Sequence, residues 1–221
     1  NPNFSQAIRN HAEVDENWLE PLEGKKLYLR RYEAQDAAYL HCCFQNDVFM
    51  TQYNQYIPKN QRQSELEAKL RQTKDMHPCE TRSVDWIIIM RDSGQSAGIA
   101  NLVDINLSHR RAEFLIGLPN REDHTRGIAL EATLLILDYV FNRIQLNKLS
   151  ANVYAENSFS QKNTLALGFV EESYLREHIV DPASGRFLNI HGNGMTLRDF
   201  RTNNRISKLS KRMLGSDITA A

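Results

Sequence analysis

Residues 111–155 constrain the fold more than any other part of the chain. Residues 111–118 read as a strand, 119–126 as a polar loop, and Gly127 opens a helix running to about Ile144. Ile128, Ala132, Leu135, Ile136, Tyr139 and Val140 recur at the spacing of a helix buried on one face. Leu149, Ala151, Val153 and Ala155 then fall on one side of a second strand over 148–155. A connection of about thirty residues containing a helix is too long for a hairpin and suits a crossover between parallel strands.

The flanking segments supply more strands and helices. Residues 26–32 alternate apolar and polar and read as a strand, and 34–44 have helical spacing with Asp36 near the positive helix start. A short charged helix over 65–72 follows. Residues 86–91 and 96–106, joined at Asp92-Ser93-Gly94, read as a hairpin that the strand at 111–118 extends. Past the crossover, 158–167 form a short helix closed by Gly168, with Phe169 just beyond. Residues 170–180 and 187–197, around a turn at 181–185, make a terminal hairpin. The expected fold class is α/β, one domain with a mixed sheet, and no internal repeat interrupts it.

Composition narrows the function. The chain has 221 residues with 41% apolar and 24% charged, enough for one large domain with a real core. Lys and Arg number 27 and Asp and Glu 27, so the basic excess of a nucleic-acid binder is missing. No run approaches the roughly 18–20 apolar residues that span a bilayer. No signal peptide is visible, although the chain begins at Asn1 without Met. Cys42, Cys43 and Cys79 make a poor disulfide framework, and no pair of histidines is spaced to share a metal on one helical face. The expectation is a reduced cytoplasmic protein with no metal, no nucleic-acid partner and no membrane partner.

The ends carry opposite charge. Residues 1–24 hold Arg9 against Glu13, Asp15, Glu16, Glu20 and Glu23, a net of −4. Residues 198–221 hold six cations against Asp199 and Asp217, a net of +4. The division expected is an acidic extension over 1–24, a main domain over 25–198 and a basic tail over 199–221. Such tails are commonly solvated. Trp18 and Leu19 nevertheless point to docking of part of the leading segment.

Backbone N–H groups at a helix start, with the macrodipole behind them, form an anion site, and Gly127 and small Ala129 let a phosphate approach closely. With that loop, His124-Thr-Arg-Gly-Ile-Ala129, the sequence resembles the GCN5-related N-acetyltransferase (GNAT) family, whose pyrophosphate loop reads Arg/Gln-x-x-Gly-x-Gly/Ala. Asn157-Ser-Phe-Ser160, then Leu167-Gly-Phe169, then Glu171-Glu-Ser-Tyr-Leu-Arg176 follow in the family's order. The likeness spans about residues 25–198 and is strong over 113–177. It is similar to the branch holding ribosomal-protein and small-amine acetyltransferases. Four positions depart from the pattern. His124 stands where Arg or Gln is usual, Thr164 where the wider superfamily often has a Tyr acid, and Ser173 where a turn Gly is usual. Leu115-Ile-Gly117 shifts a strand glycine by one residue or marks a bulge.

The resemblance implies a single GNAT-like domain, its mostly antiparallel sheet splayed between two central parallel strands and flanked by helices. It implies acetyl-CoA as co-substrate in the V-shaped gap. The pantetheine arm would pair with backbone near Ile116, Gly117 and Leu118, and the pyrophosphate would sit on the amides of Arg126, Gly127, Ile128 and Ala129. Asn157, counted among the catalytic candidates as well, would bond near the pantetheine end, and Lys162 would reach the phosphates. Direct transfer to an amine needs a base, an oxyanion donor and an acid for the thiolate. Glu113 is the expected base, Ser160 the acid or thiolate donor, with Tyr154 in reserve, and a backbone N–H near Ile116 the oxyanion donor. Glu131 would serve the helix dipole or orient the loop. The favoured acceptor is a small-molecule amine, such as an amino sugar or a biosynthetic amine; the rival is a protein N-terminus. A homodimer is compatible with the family. A non-catalytic acyl-CoA-binding module is the alternative outside enzymes.

Overall fold

In the computed structural model, residues 18–54, 57, 61–120, 122–123, 127–182 and 184–220 are described. Their alternating stretches pair into an eight-stranded sheet, in the order β1-β2-β3-β4-β5-β6-β8-β7. The strands are β1 (Leu22–Glu23), β2 (Leu27–Arg31), β3 (Val84–Met90), β4 (Ser96–Asn106), β5 (Arg111–Gly117), β6 (Lys148–Tyr154), β7 (Val170–Val180) and β8 (Phe187–Thr196). β5 and β6 run parallel, while the other described neighbours are antiparallel. The expected mixed α/β fold and the crossover are thus both present.

Helices cover the two faces. On one lie α1 (Ala37–Gln45), α2 (Asp47–Tyr53) and α3 (Gln63–Thr73), and a short α4 (Pro78–Thr81) leads into β3. Leu40, Phe49, Met50, Tyr53, Leu66 and Leu70 from these helices meet Ile99 of the sheet in one cluster. The other face carries the larger core, built on the crossover helix α5 (Ile128–Asp138), which continues as a π-helical turn over Tyr139–Arg143. Ile128, Ala132, Leu135, Ile136, Tyr139 and Val140 are all buried, as their spacing predicts. Trp18 is 1% exposed beneath this layer, edge-on to Tyr139, whose hydroxyl donates to the Trp18 carbonyl at 3.1 Å. Leu19, by contrast, is exposed.

Helix α6 (Ser158–Leu167) follows β6 and ends at Gly168 with φ 107°, the left-handed cap that a glycine adopts at little cost. The basic C-terminal segment, expected to be solvated, is folded instead. It forms α7 (Leu197–Arg201) and α8 (Asn204–Met213). Phe200 stacks on Phe141 at 4.6 Å, and Phe200 and Ile206 are fully buried. Apolar residues at 206, 209 and 213 recur on one face of α8 and override the charge between them.

Candidate active site

The parallel pairing of β5 with β6 is short. Arg111, Ala112 and Glu113 face Lys148, Leu149 and Ser150, and the register ends there. Residues 114–117 continue only with β4, and residues 151–154 continue only with β8. The backbone edges that face each other beyond Glu113 and Ser150 therefore have no strand partner among the described residues. An extended chain laid between them would find main-chain donors and acceptors on both sides.

Glu113 sits at the vertex of this gap, partly buried. Burial pushes its carboxyl upward from the ordinary carboxylate value; the Asn152 side chain holds it down, the Asp104 carboxylate adds to the rise and Arg111 offsets it. Asn152 lies two residues beyond Ser150 on β6, hence on the same face of the sheet. The sequence reading did not single it out, because its proximity to Glu113 depends on a register across the parallel pair that no local pattern reveals.

Helix α5 follows β5 in the chain. Its N-cap is Gly127 with φ 75°, a residue that has no side chain with which to cap the helix start. A Cβ placed on Gly127 would meet nothing nearer than Met213 Cε, at 3.8 Å. The first amides of α5 have no intrahelical acceptor, and among the described residues nothing crowds Gly127. Ile128 is buried in the core, while Ala129 is partly exposed and its carbonyl accepts the Thr133 hydroxyl at 2.7 Å. Arg126, with His124 and Thr125, lies outside the described residues.

Along β5, Ile116 and Gly117 are partly buried opposite Ala100 and Ile99, and Leu118 turns into the core. A Cβ on Gly117 would lie 2.5 Å from Phe49 and 2.7 Å from Tyr53, so the glycine admits α2 against the end of the strand. Phe49 and Tyr53 stack at 5.1 Å there. The Tyr53 hydroxyl donates to Asn101, whose amide donates to the Asp85 carboxylate. Burial raises the Asp85 carboxyl, and it raises the Tyr53 and Tyr32 phenols well above their ordinary value. This polar group beneath α2 was not anticipated either.

The residues after β6 are arranged by a cap. Asn157 Oδ1 accepts the Ser160 N–H at 3.1 Å, starting α6, which leaves the Asn157 amide nitrogen as that side chain's donor. Ser160 is partly exposed and Lys162 exposed on the same helix, and Tyr154 is partly buried at the end of β6. Thr164 contributes its carbonyl, which accepts the Phe169 N–H at 3.3 Å in the helix cap. Glu131 is 2% exposed, and its Oε1 accepts the Lys26 N–H at 2.8 Å. It pins the start of β2 to the first turn of α5. Ser173 faces Gly192 across the terminal hairpin, so the side chain that replaces the usual glycine finds its room over a glycine on the partner strand.

This geometry agrees with the comparisons. Residues 26–170 match the family described as the acetyltransferase (GNAT) domain. The Bacillus subtilis protein named Uncharacterized N-acetyltransferase YoaA is 30% identical over 77% of this chain and 94% of its own length. Spermidine N(1)-acetyltransferase of Escherichia coli K12 is 30% identical over 69% of this chain and 78% of its own. The crystal structure of spermidine N-acetyltransferase from Vibrio cholerae with CoA and spermine superposes with a TM-score of 0.68. That pair shares 25% identity over 77% of this chain and 95% of the other. The chain belongs to the GNAT acetyltransferase family. It is an N-acetyltransferase, an acyltransferase of a family whose donor is acetyl-CoA. None of these relatives is named for a ribosomal-protein substrate, so that finer branch assignment does not carry over.

Proposed function

We propose that the chain transfers acetyl directly from acetyl-CoA to a small-molecule primary amine, with the thioester seated in the gap between β5 and β6. The observation that carries this reading is the parting of the two strands beyond Glu113 and Ser150, together with a crossover helix that starts at a glycine, Gly127. The amides of residues 126–129 take the diphosphate, and the backbone at Ile116, Gly117 and Leu118 takes the pantetheine arm. Asn157, at the start of α6, and Lys162, on that helix, serve the carrier from the other side.

Glu113 accepts the proton of the incoming ammonium, directly or through water. The neutral nitrogen then attacks the thioester carbon, a backbone N–H near Ile116 holds the oxyanion, the C–S bond breaks, and the surplus proton of the attacking nitrogen passes to the departing thiolate, which Ser160 serves as hydrogen-bond donor or proton relay. The raised Glu113 carboxyl suits the role, since a base held closer to working pH transfers protons more effectively. The name of the Escherichia coli relative, and the spermine held by the Vibrio cholerae structure, support a polyamine as the first acceptor to try.

The test is release of free CoA thiol from acetyl-CoA with spermidine, spermine, a monoamine, an amino sugar and a short peptide with a free N-terminus. Turnover on at least one small amine, abolished or greatly reduced in Glu113→Gln, supports the reading. Turnover confined to the peptide would move the acceptor to protein N-termini. Binding without turnover on any amine would leave a carrier-binding module.

A further inference from the structure

Helix α8 lies beyond residue 170, where the family match ends. Its core side is fixed: Ile206 and Ser210 are buried, and Leu209 and Met213 lie against the same core. One flank is covered by the chain end folding back. There Asp217 accepts from Ser207 at 2.6 Å and pairs with Lys211 at 2.9 Å, and the Ile218 N–H reaches Ser210 at 3.3 Å.

The other flank carries Arg205, Lys208 and Arg212, at positions i, i+3 and i+7 and therefore in one row. All three are exposed, and their side chains have no hydrogen bond or ion pair among the described residues. Arg205 and Lys208, with Asn204 and Leu209, line an open hollow of about 400 Å³. The C-terminal end of the row lies toward Gly127: Met213, which follows Arg212 in the chain, brings its Cε within 3.8 Å of where a Gly127 Cβ would sit. Lys25 adds a further cation at this end, its Nζ donating to the Arg212 carbonyl at 3.4 Å. Three like charges in a row repel one another and are costly to keep without a counter-charge.

We infer that the row Arg205, Lys208 and Arg212 is a docking site for the 3′-phosphate of coenzyme A, so that the C-terminal helix supplies part of the donor site. The inference rests on the reading of Gly127 as the seat of the diphosphate. A terminal phosphomonoester carries close to two negative charges at neutral pH, and Arg and Lys meet it with charge-assisted hydrogen bonds. A CoA carrier lacking that phosphate keeps its diphosphate and pantetheine arm, which allows the two sites to be tested separately.

The experiment compares acetyl-CoA with 3′-dephospho-acetyl-CoA on the full chain and on the triple variant Arg205→Gln, Lys208→Gln, Arg212→Gln. These positions point away from the core, so the variant keeps Ile206, Leu209 and Met213 in place. The unmodified chain is expected to have a KM about tenfold lower for acetyl-CoA than for the dephospho carrier, the effect of roughly one such charge contact. The triple variant is expected to lose that preference through a higher KM for acetyl-CoA, with kcat and the KM for the dephospho carrier unchanged. Equal KM values for both carriers in the unmodified chain, or a variant that weakens both alike, would overturn the inference while leaving the Gly127 seat standing. A chain that binds neither carrier removes the seat itself, and the inference with it.

Discussion

Glu113 and Ser150 are the last residues paired across the two central parallel strands, and the proposed thioester site lies where they part. Below them the sheet is continuous and filled on both faces. Above them each strand keeps one neighbour and gives up the other, so the gap costs no buried unpaired backbone provided that solvent or a ligand enters it. A carboxylate at that vertex is drawn out of water by the same architecture that opens the cleft, which is why burial leads the causes of its upward shift.

That shift fixes the pH behaviour. With Glu113 as the proposed base, which works in its ionised form, activity is expected to fall as pH drops through the Glu113 value, with the acid limb shifted upward from that of an ordinary Glu carboxyl. The Asn152 amide holds that value down by bonding to the charged form, so Asn152→Ala is expected to move the limb to higher pH. Glu113→Gln is expected to lose about 10²–10⁴-fold in kcat and to flatten the limb. A pH profile of kcat/KM for the three proteins checks both statements. An unmoved limb in Asn152→Ala would separate that residue from the base.

Gly117 is expected to tolerate no side chain. A methyl group there would lie 2.5 Å from Phe49, and α2 would have to move off the end of β5. Overpacking of this kind costs about 1–3 kcal/mol. Gly117→Ala should therefore lower the melting temperature and also reduce kcat/KM, because the displaced strand lines the gap. Stability unchanged from the unmodified chain would mean that α2 adapts without strain.

The C-terminal segment is expected to behave as core. Phe200 is fully buried against Phe141, and truncating a buried Phe to Ala costs roughly 3–5 kcal/mol. Phe200→Ala should unfold at markedly lower denaturant concentration with an unchanged slope. A loss under about 1 kcal/mol would contradict the packing seen here, since surface substitutions stay within that range.

How much of this was legible beforehand follows from the kind of signal each feature leaves. The crossover helix was readable because Ile128 to Val140 repeat at one period over several turns, and the end of α6 because Gly168 is followed by Phe169. Helices α2 and α4 are too short to show a period, and α4 is organised by His77 and Pro78 rather than by an apolar stripe. Helix α8 did carry a signal, Ile206, Leu209 and Met213 behind the N-cap Asn203, but counting charge over the whole segment hid it. The proximity of Asn152 to Glu113, and of Tyr53 and Asn101 to Asp85, arises from strand register and helix docking. Neither leaves a trace in local sequence.

The most direct test of the central claim is titration calorimetry of acetyl-CoA into the unmodified chain and into Gly127→Asn and Gly127→Asp. Asn and Asp both tolerate the left-handed backbone that Gly127 adopts at φ 75°, and they differ chiefly in charge. With the diphosphate on these amides, Gly127→Asn should bind with little loss, and Gly127→Asp at least about tenfold more weakly, near 1.4 kcal/mol. Equal affinity for the two variants, or no heat with the unmodified chain, would contradict the account.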